Sequence, residues 1–168
     1  MELSIGRGRP EDYYEASELI YSSGPDVFDF LFTKTLSKKF LSYAFRSGRG
    51  FLSHRRHQIV KNIAGDIVGV GSAYGWFLHK VLTLYTIIDI FSFFSPREAI
   101  RILVRCMTLE KIRKPPTLYS LYFCNFGVKD EYQSKGVGTV LFVRICRIYA
   151  KYPIKTYICD VSETNVRV

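Results

Sequence analysis

The residues best placed to do chemistry form a short run, Gln133-Ser134-Lys135-Gly136-Val137-Gly138-Thr139. The chemistry they suggest is anion binding. A helix start leaves backbone N–H groups without partners and carries the positive end of the helix dipole. Gly136 and Gly138 have no Cβ, so a phosphate can approach the main chain closely, and Lys135 adds a formal charge. On the glycines alone, an ordinary tight strand-to-helix turn explains the run equally well. The spacing is not that of a P-loop, and there is no G-x-G-x-x-G.

Two elements must position this run. Leu118 to Val128 is rich in Tyr, Phe and Leu and reads as a strand. It is apolar on both faces, as suits a central strand covered on both sides. After a turn from Lys129 to Gly138, Thr139 to Lys151 reads as a helix. Val137, Leu141, Ile145 and Ile148 fall on one stripe of it, and Arg144, Arg147 and Lys151 on another.

Phe126-Gly127-Val128-Lys129-Asp130-Glu131-Tyr132-Gln133-Ser134-Lys135-Gly136-Val137-Gly138-Thr139 resembles motif A of the GNAT superfamily of N-acetyltransferases. That family carries a Q/R-x-x-G-x-G/A loop after a strand ending in an apolar–small–Val run. Gln133, Gly136 and Gly138 fill the loop pattern. The resemblance implies an α/β (α+β) fold, a mixed and mostly antiparallel sheet flanked by helices. It implies acetyl-CoA as co-substrate, no metal, and direct attack of a neutral amine on the thioester. Backbone amides around Phe126, Gly127 and Val128 would pair with the pantetheine arm. The Phe126 amide would also polarise the thioester carbonyl, a catalytic oxyanion-type role. Amides of Gln133, Ser134, Lys135, Gly136, Val137, Gly138 and Thr139 would hold the pyrophosphate. Asn165 matches an asparagine that follows the next strand in the family, and it is carried over as a catalytic and cofactor-binding candidate. The general base is unknown. Tyr122 and Cys124 share one face of the strand near the expected thioester, but neither is a convincing base, and no carboxylate of the strand occupies that face. Cys124 reads as a structural thiol rather than a nucleophile.

At 168 residues the chain is long enough for one domain with a sizeable core. Its net charge of +9 favours anionic partners: a nucleic acid, an anionic membrane surface or a polyphosphate cofactor. Lys and Arg are scattered and no aromatic-plus-basic RNA motif occurs, so a basic nucleic-acid-binding domain is the weakest of the function classes considered. Cys106, Cys124, Cys146 and Cys159 are far apart, with no C-x-x-C pair. They read as reduced thiols of a cytoplasmic protein, and no signal peptide is expected.

The rest of the chain completes the pattern. Glu2 to Gly6 reads as a first strand, and Pro10 opens a helix reaching Ser22. Asp26 to Ser47 holds two short helical patterns. Gln58 to Ile63 and Ile67 to Ser72 form a hairpin about Ala64-Gly65-Asp66. Its Gly65-Asp66-Ile67-Val68-Gly69 again resembles GNAT chains. His54 and His57 lack a partner pattern that would suggest a metal. An insertion at 75–114 follows, with two helical segments. The first is strongly apolar, but Asp89 interrupts it and His79 and Lys80 bound it, so a buried or interfacial helix is expected rather than a membrane span. Ser95-Pro96-Arg97-Glu98 has the form of a capping box for the second. The insertion would wall the acceptor site or make an oligomer contact.

Thr156 to Val161 reads as one more strand. The family's last helix and strands have no counterpart before Val168, so residues 1–168 are expected to form one C-terminally incomplete GNAT-like domain. An amine N-acetyltransferase acting on a small-molecule or peptide acceptor is the first expectation. A weakly active or inactive binding and regulatory module of the same fold is the second. The open last strand favours a homodimer.

Overall fold

Five stretches rich in β-branched and aromatic residues pair into one sheet: β1 (Ser4–Arg7), β2 (His57–Lys61), β3 (Ile67–Gly75), β4 (Ser120–Val128) and β5 (Thr156–Cys159). The computed structural model describes residues 2–113 and 115–160. The strands lie side by side in chain order. The first four are antiparallel, and β5 runs parallel to β4. Among the described residues six helices pack about the sheet: α1 (Tyr13–Ser22), α2 (Pro25–Phe32), α3 (Lys34–Ser47), α4 (Trp76–Phe93), α5 (Pro96–Ile112) and α6 (Val137–Tyr149). This mixed, mostly antiparallel sheet with extra helices between β3 and β4 is the architecture expected from sequence.

The alternation of the strands decides which helices go where. Ile59 and Val70 pack with residues of α1–α5 in the larger core. Val60 and Val68 turn to the other face and meet Val137 and Leu141 of α6. Ala73, Leu121 and Phe123 meet Ile145 on the same side. Phe32, Phe40 and Phe94, with ring centroids 4.5, 5.3 and 5.9 Å apart, tie α2 and α3 to the corner between α4 and α5. That corner carries the expected capping box. The Ser95 hydroxyl accepts from the Glu98 N–H at 3.4 Å, and the Glu98 carboxylate accepts from the Ser95 N–H at 3.3 Å.

Several boundaries differ from the sequence reading. β1 is Ser4–Arg7, two residues later at its start. Pro10–Asp12 is a 3₁₀ turn ahead of α1, held by the Arg9 N–H donating to the Asp12 carboxylate at 2.8 Å. β3 continues to Gly75, because pairing with β4 extends to Leu121 opposite Gly75. α6 begins at Val137, since Gly136 at φ 83° makes the turn that releases the helix. Ile148, on the last turn of α6, is exposed rather than packed in the core.

α1 crosses β4 at Gly127. A Cβ added there would lie 2.0 Å from the Leu19 carbonyl oxygen, a backbone atom that cannot step aside. Gly127→Ala is therefore expected to cost about 3 kcal/mol, the upper end for overpacking. Urea denaturation measures it, and an unchanged midpoint would mean that α1 and β4 are not in this close contact.

Candidate functional site

β4 changes character halfway along. Up to Phe123 it pairs on both sides, with β3 and with β5, and the β5 register ends at Phe123 opposite Cys159. Asn125 then takes φ 57°, and the register to β3 slips between Val70 and Ser72, the mark of a β-bulge. The bulge reverses the alternation. Tyr122 and Cys124 look toward the helices of the insertion, whereas Phe126 and Val128 pack on the α6 side.

Beyond the bulge one edge of the main chain has no strand neighbour among the described residues. The Lys129 N–H donates to the Val68 carbonyl of β3 at 3.0 Å. In an antiparallel ladder alternate residues turn to opposite neighbours, so Val128, and Phe126 before it, turn their polar groups away from β3. The Val128 carbonyl accordingly accepts from Gln133 Nε2 at 3.4 Å. On that side the paired part of β5 has already ended. Among the described residues no strand covers the Phe126 and Val128 N–H groups, which leaves a notch between β4 and the described part of β5.

The glycine run lies beside this notch, because Val137 and Leu141 pack in the cluster that Phe126 and Val128 adjoin. The Gln133 N–H donates to Asp130 at 3.2 Å and the Lys135 N–H to Tyr132 at 3.4 Å, so these two amides brace the turn. The Val140 N–H makes a bond to the Gly136 carbonyl at 3.0 Å. Val137, Gly138 and Thr139 precede it and make up the first turn of α6, where helix amides lack helical acceptors. No side chain caps this helix start and no acidic residue sits in its first turn. A Cβ at Gly136 or Gly138 would meet nothing within 4 Å, so the space above them is open. The arrangement suits an anion held by main-chain N–H groups.

The other face of β4 opens on a cavity of about 550 Å³. Leu31, Ile87, Leu103 and Met107 from α2, α4 and α5 make much of its wall, so the insertion does line a chamber beside the strand. Its polar groups converge where β5 ends. The Tyr122 hydroxyl donates to the carboxylate of Asp160, and Arg113 Nε lies 3.1 Å from the same carboxylate. Asp160 was missing from the sequence reading. β4 itself brings no carboxylate to this face, but the parallel register puts Cys159 opposite Phe123, and Asp160 follows directly. No local pattern announces that pairing.

Cys124 Sγ sits 3.1 Å from Ser72 Oγ, and burial pushes its thiol up to about 12. It stays protonated, in keeping with a structural thiol. Burial likewise raises the Tyr122 and Tyr74 phenols, whose rings stack at 5.3 Å, so both remain hydrogen-bond donors at neutral pH. Asn165 lies outside the described residues. Among the described residues no group of three or more His, Cys, Asp or Glu is placed to hold a metal ion.

His57 sits among hydrogen-bonding partners rather than in a cluster of metal-ligating side chains. It is fully buried at the start of β2, with Nδ1 2.9 Å from the Ser53 carbonyl and Nε2 3.2 Å from Asn125 Nδ2. This pairing makes Nδ1 the donor and Nε2 the acceptor of the Asn125 amide, which braces the bulge from behind. Burial lowers its pKa to about 4. The native state therefore keeps His57 neutral, while the unfolded chain takes up a proton below about pH 6.5. Stability from this residue is complete above pH 6.5 and is lost as pH falls toward 4, by about 3 kcal/mol in all. His57→Gln is expected to flatten the pH dependence of the urea midpoint between pH 6.5 and 4.5. An unchanged slope would refute a neutral buried imidazole.

A bulged central strand, a parallel neighbour beside its first half and a glycine turn opening a helix are arranged in the GNAT-like fold expected from sequence. Comparison with solved structures finds similar folds in acetyltransferases. An N-acetyltransferase from Staphylococcus aureus Mu50 superposes with a TM-score of 0.60 at 13% identity, covering 88% of this chain and 77% of its own. A second acetyltransferase gives 0.56 at 13% identity, covering 86% and 73%. A Mycobacterium tuberculosis protein solved in complex with CoA gives 0.52 at 11%, covering 96% and 66%. No protein-family model and no curated protein matches the sequence. The likeness is one of fold.

Proposed function

We propose that this protein binds acetyl-CoA and transfers its acetyl group to an amine carried on a largely apolar body. One observation carries the reading: among the described residues the outward N–H groups of Phe126 and Val128 have no strand neighbour, and they lie between the open glycine turn at the start of α6 and the apolar cavity that Cys124 and Asn125 line. The pyrophosphate would lie on the amides of Gly136, Val137, Gly138 and Thr139, with Lys135 nearby, and the pantetheine arm would add to the open edge of β4 as a strand does. The thioester then reaches the level of the bulge, where the Phe126 N–H polarises its carbonyl.

Transfer forms a C–N bond and breaks the C–S bond, and the amine must give up a proton. Asp160, at the tip of the notch with Tyr122 and Arg113, is the carboxylate best placed to accept it. The cavity's predominantly apolar wall selects acceptors by burial rather than by charge. CoA release with a panel of amines tests the reading. Amines with aliphatic or aromatic bodies should react with higher kcat/KM than small polar amines, and the opposite order would exclude this acceptor class.

The rival reading is a binding module of the same fold that does not turn over. It rests on Asp160 being already engaged by Arg113 and Tyr122. CoA binding without acetyl transfer to any amine of the panel would favour it.

A further inference from the structure

The outer face of α4 is unlike the surface of a water-soluble helix. Phe77, Val81, Leu84, Tyr85, Ile88 and Phe91 recur at helical spacing, and all are exposed, Phe77 at 75% and Leu84 at 59%. The opposite side of the helix is anchored in the protein. Leu82, Asp89 and Ile90 are buried, and the Asp89 carboxylate is held by Arg49 at 2.9 Å and by the Ser47 hydroxyl at 3.0 Å. α4 is therefore apolar on both sides, one used by the fold and one not. By length and composition it could cross a membrane, with a mean hydropathy of 1.2 over Trp76–Phe93. Its buried Asp89 pair instead fixes it along the domain surface.

α5 carries an exposed apolar stripe of its own. Ile100, Val104 and Met107 form an exposed apolar stripe on it, and Met107 also lines the cavity. Ile87 of α4 lines the cavity too. α5 thus brings its stripe to the rim of the chamber at Met107, whereas the α4 residues at the chamber, Thr83, Thr86, Ile87 and Ile90, lie on the side of that helix away from its exposed face.

Charge discriminates among the occupants of this face. Lys80, Arg97, Arg101 and Lys111 are exposed along the hairpin. Of its acidic residues Asp89 is buried against Arg49, and Glu98 of the capping box and Glu110 are exposed, so the four exposed cations outnumber the exposed carboxylates two to one. A second copy of the chain would bring another +9 to the contact. An anionic bilayer would meet the same face with complementary charge and a matching apolar layer. Trp76 and Tyr85, amphipathic rings of the kind enriched at the headgroup level, stand on this helix, with Lys80 Nζ 4.0 Å from the Trp76 ring. Large contiguous apolar patches of this kind mark interaction sites.

We infer that the α4–α5 hairpin docks the protein on an anionic lipid surface, lying in the interface without crossing it. The docking does not rest on the acyl-transfer reading.

Trp76 is the only tryptophan of the chain, so its fluorescence reports on α4 alone. Vesicles of phosphatidylcholine with 30% phosphatidylglycerol should shift its emission to the blue, and brominated lipid should quench it. Co-sedimentation should show at least tenfold weaker binding to phosphatidylcholine alone. Leu84→Glu with Ile88→Glu should abolish binding while leaving the thermal melt and CoA calorimetry unchanged, because both side chains point outward. Lys80→Glu with Arg101→Glu should reduce binding to the level of neutral vesicles. Wild-type protein that shows neither shift nor sedimentation with the anionic vesicles overturns the proposal, and a dimer mass in light scattering would then assign the face to a second copy. Loss of CoA binding in wild type with vesicle docking intact would instead sink the acyl-transfer reading.

Discussion

Gly136→Glu is expected to weaken CoA binding by at least a hundredfold. Gly136 sits at φ 83°, a conformation that L side chains rarely adopt, at the turn that releases α6. A side chain there strains the turn and puts a carboxylate where the pyrophosphate would lie. Hydrogen bonds to charged groups are worth about 1.5–3 kcal/mol each. Losing two of them corresponds to a factor of roughly 10² to 10⁴ at 1.4 kcal/mol per tenfold. Nothing lies within 4 Å of the added Cβ, so the core is left alone and the loss of stability should be limited to the strain of the turn, about 1–2 kcal/mol. Isothermal calorimetry with CoA reads the effect. Equal affinity of variant and wild type would remove the glycine turn from the site.

Asp160→Asn separates chemistry from binding. The amide can still accept from the Tyr122 hydroxyl, so the corner of the cavity keeps its shape, but it cannot take a proton from an attacking amine. General base assistance is typically worth about 10²–10⁴-fold. kcat for an apolar amine should fall by that order relative to wild type, with CoA affinity unchanged. A variant that keeps wild-type kcat would rule Asp160 out as the base. If CoA affinity fell in parallel with kcat, Asp160 would be a binding residue instead.

The glycine turn was legible in the sequence because everything it needs is local. Glycines at a helix start, an apolar strand before them and an amphipathic stripe after them are written in consecutive residues, and propensity and periodicity read such features directly. The capping box at Ser95 and Glu98 was legible for the same reason. So were the hairpin about Gly65 and the helical character of the insertion, and together with motif A they gave the fold. The boundaries slipped by a few residues where a single backbone conformation decides them, as at Gly136.

The remaining features depend on partners far apart in the chain. Nothing near Asp160 says that it will stand beside Tyr122 and Arg113, because that follows from the parallel register of β5 on β4 and from the path of α5. His57 carries no local sign of its tie to Asn125, 68 residues away, which forms only once a bulge turns that side chain toward β2. The outer face of α4 is the clearest case. Its sequence is apolar all round, so periodicity cannot say which side the fold will use, and the hydrophobic effect is non-directional. The ion pair of Asp89 with Arg49 settles it: a buried carboxylate needs its partner, and satisfying that need turns Leu82 and Ile90 inward and leaves Phe77, Leu84 and Phe91 outside.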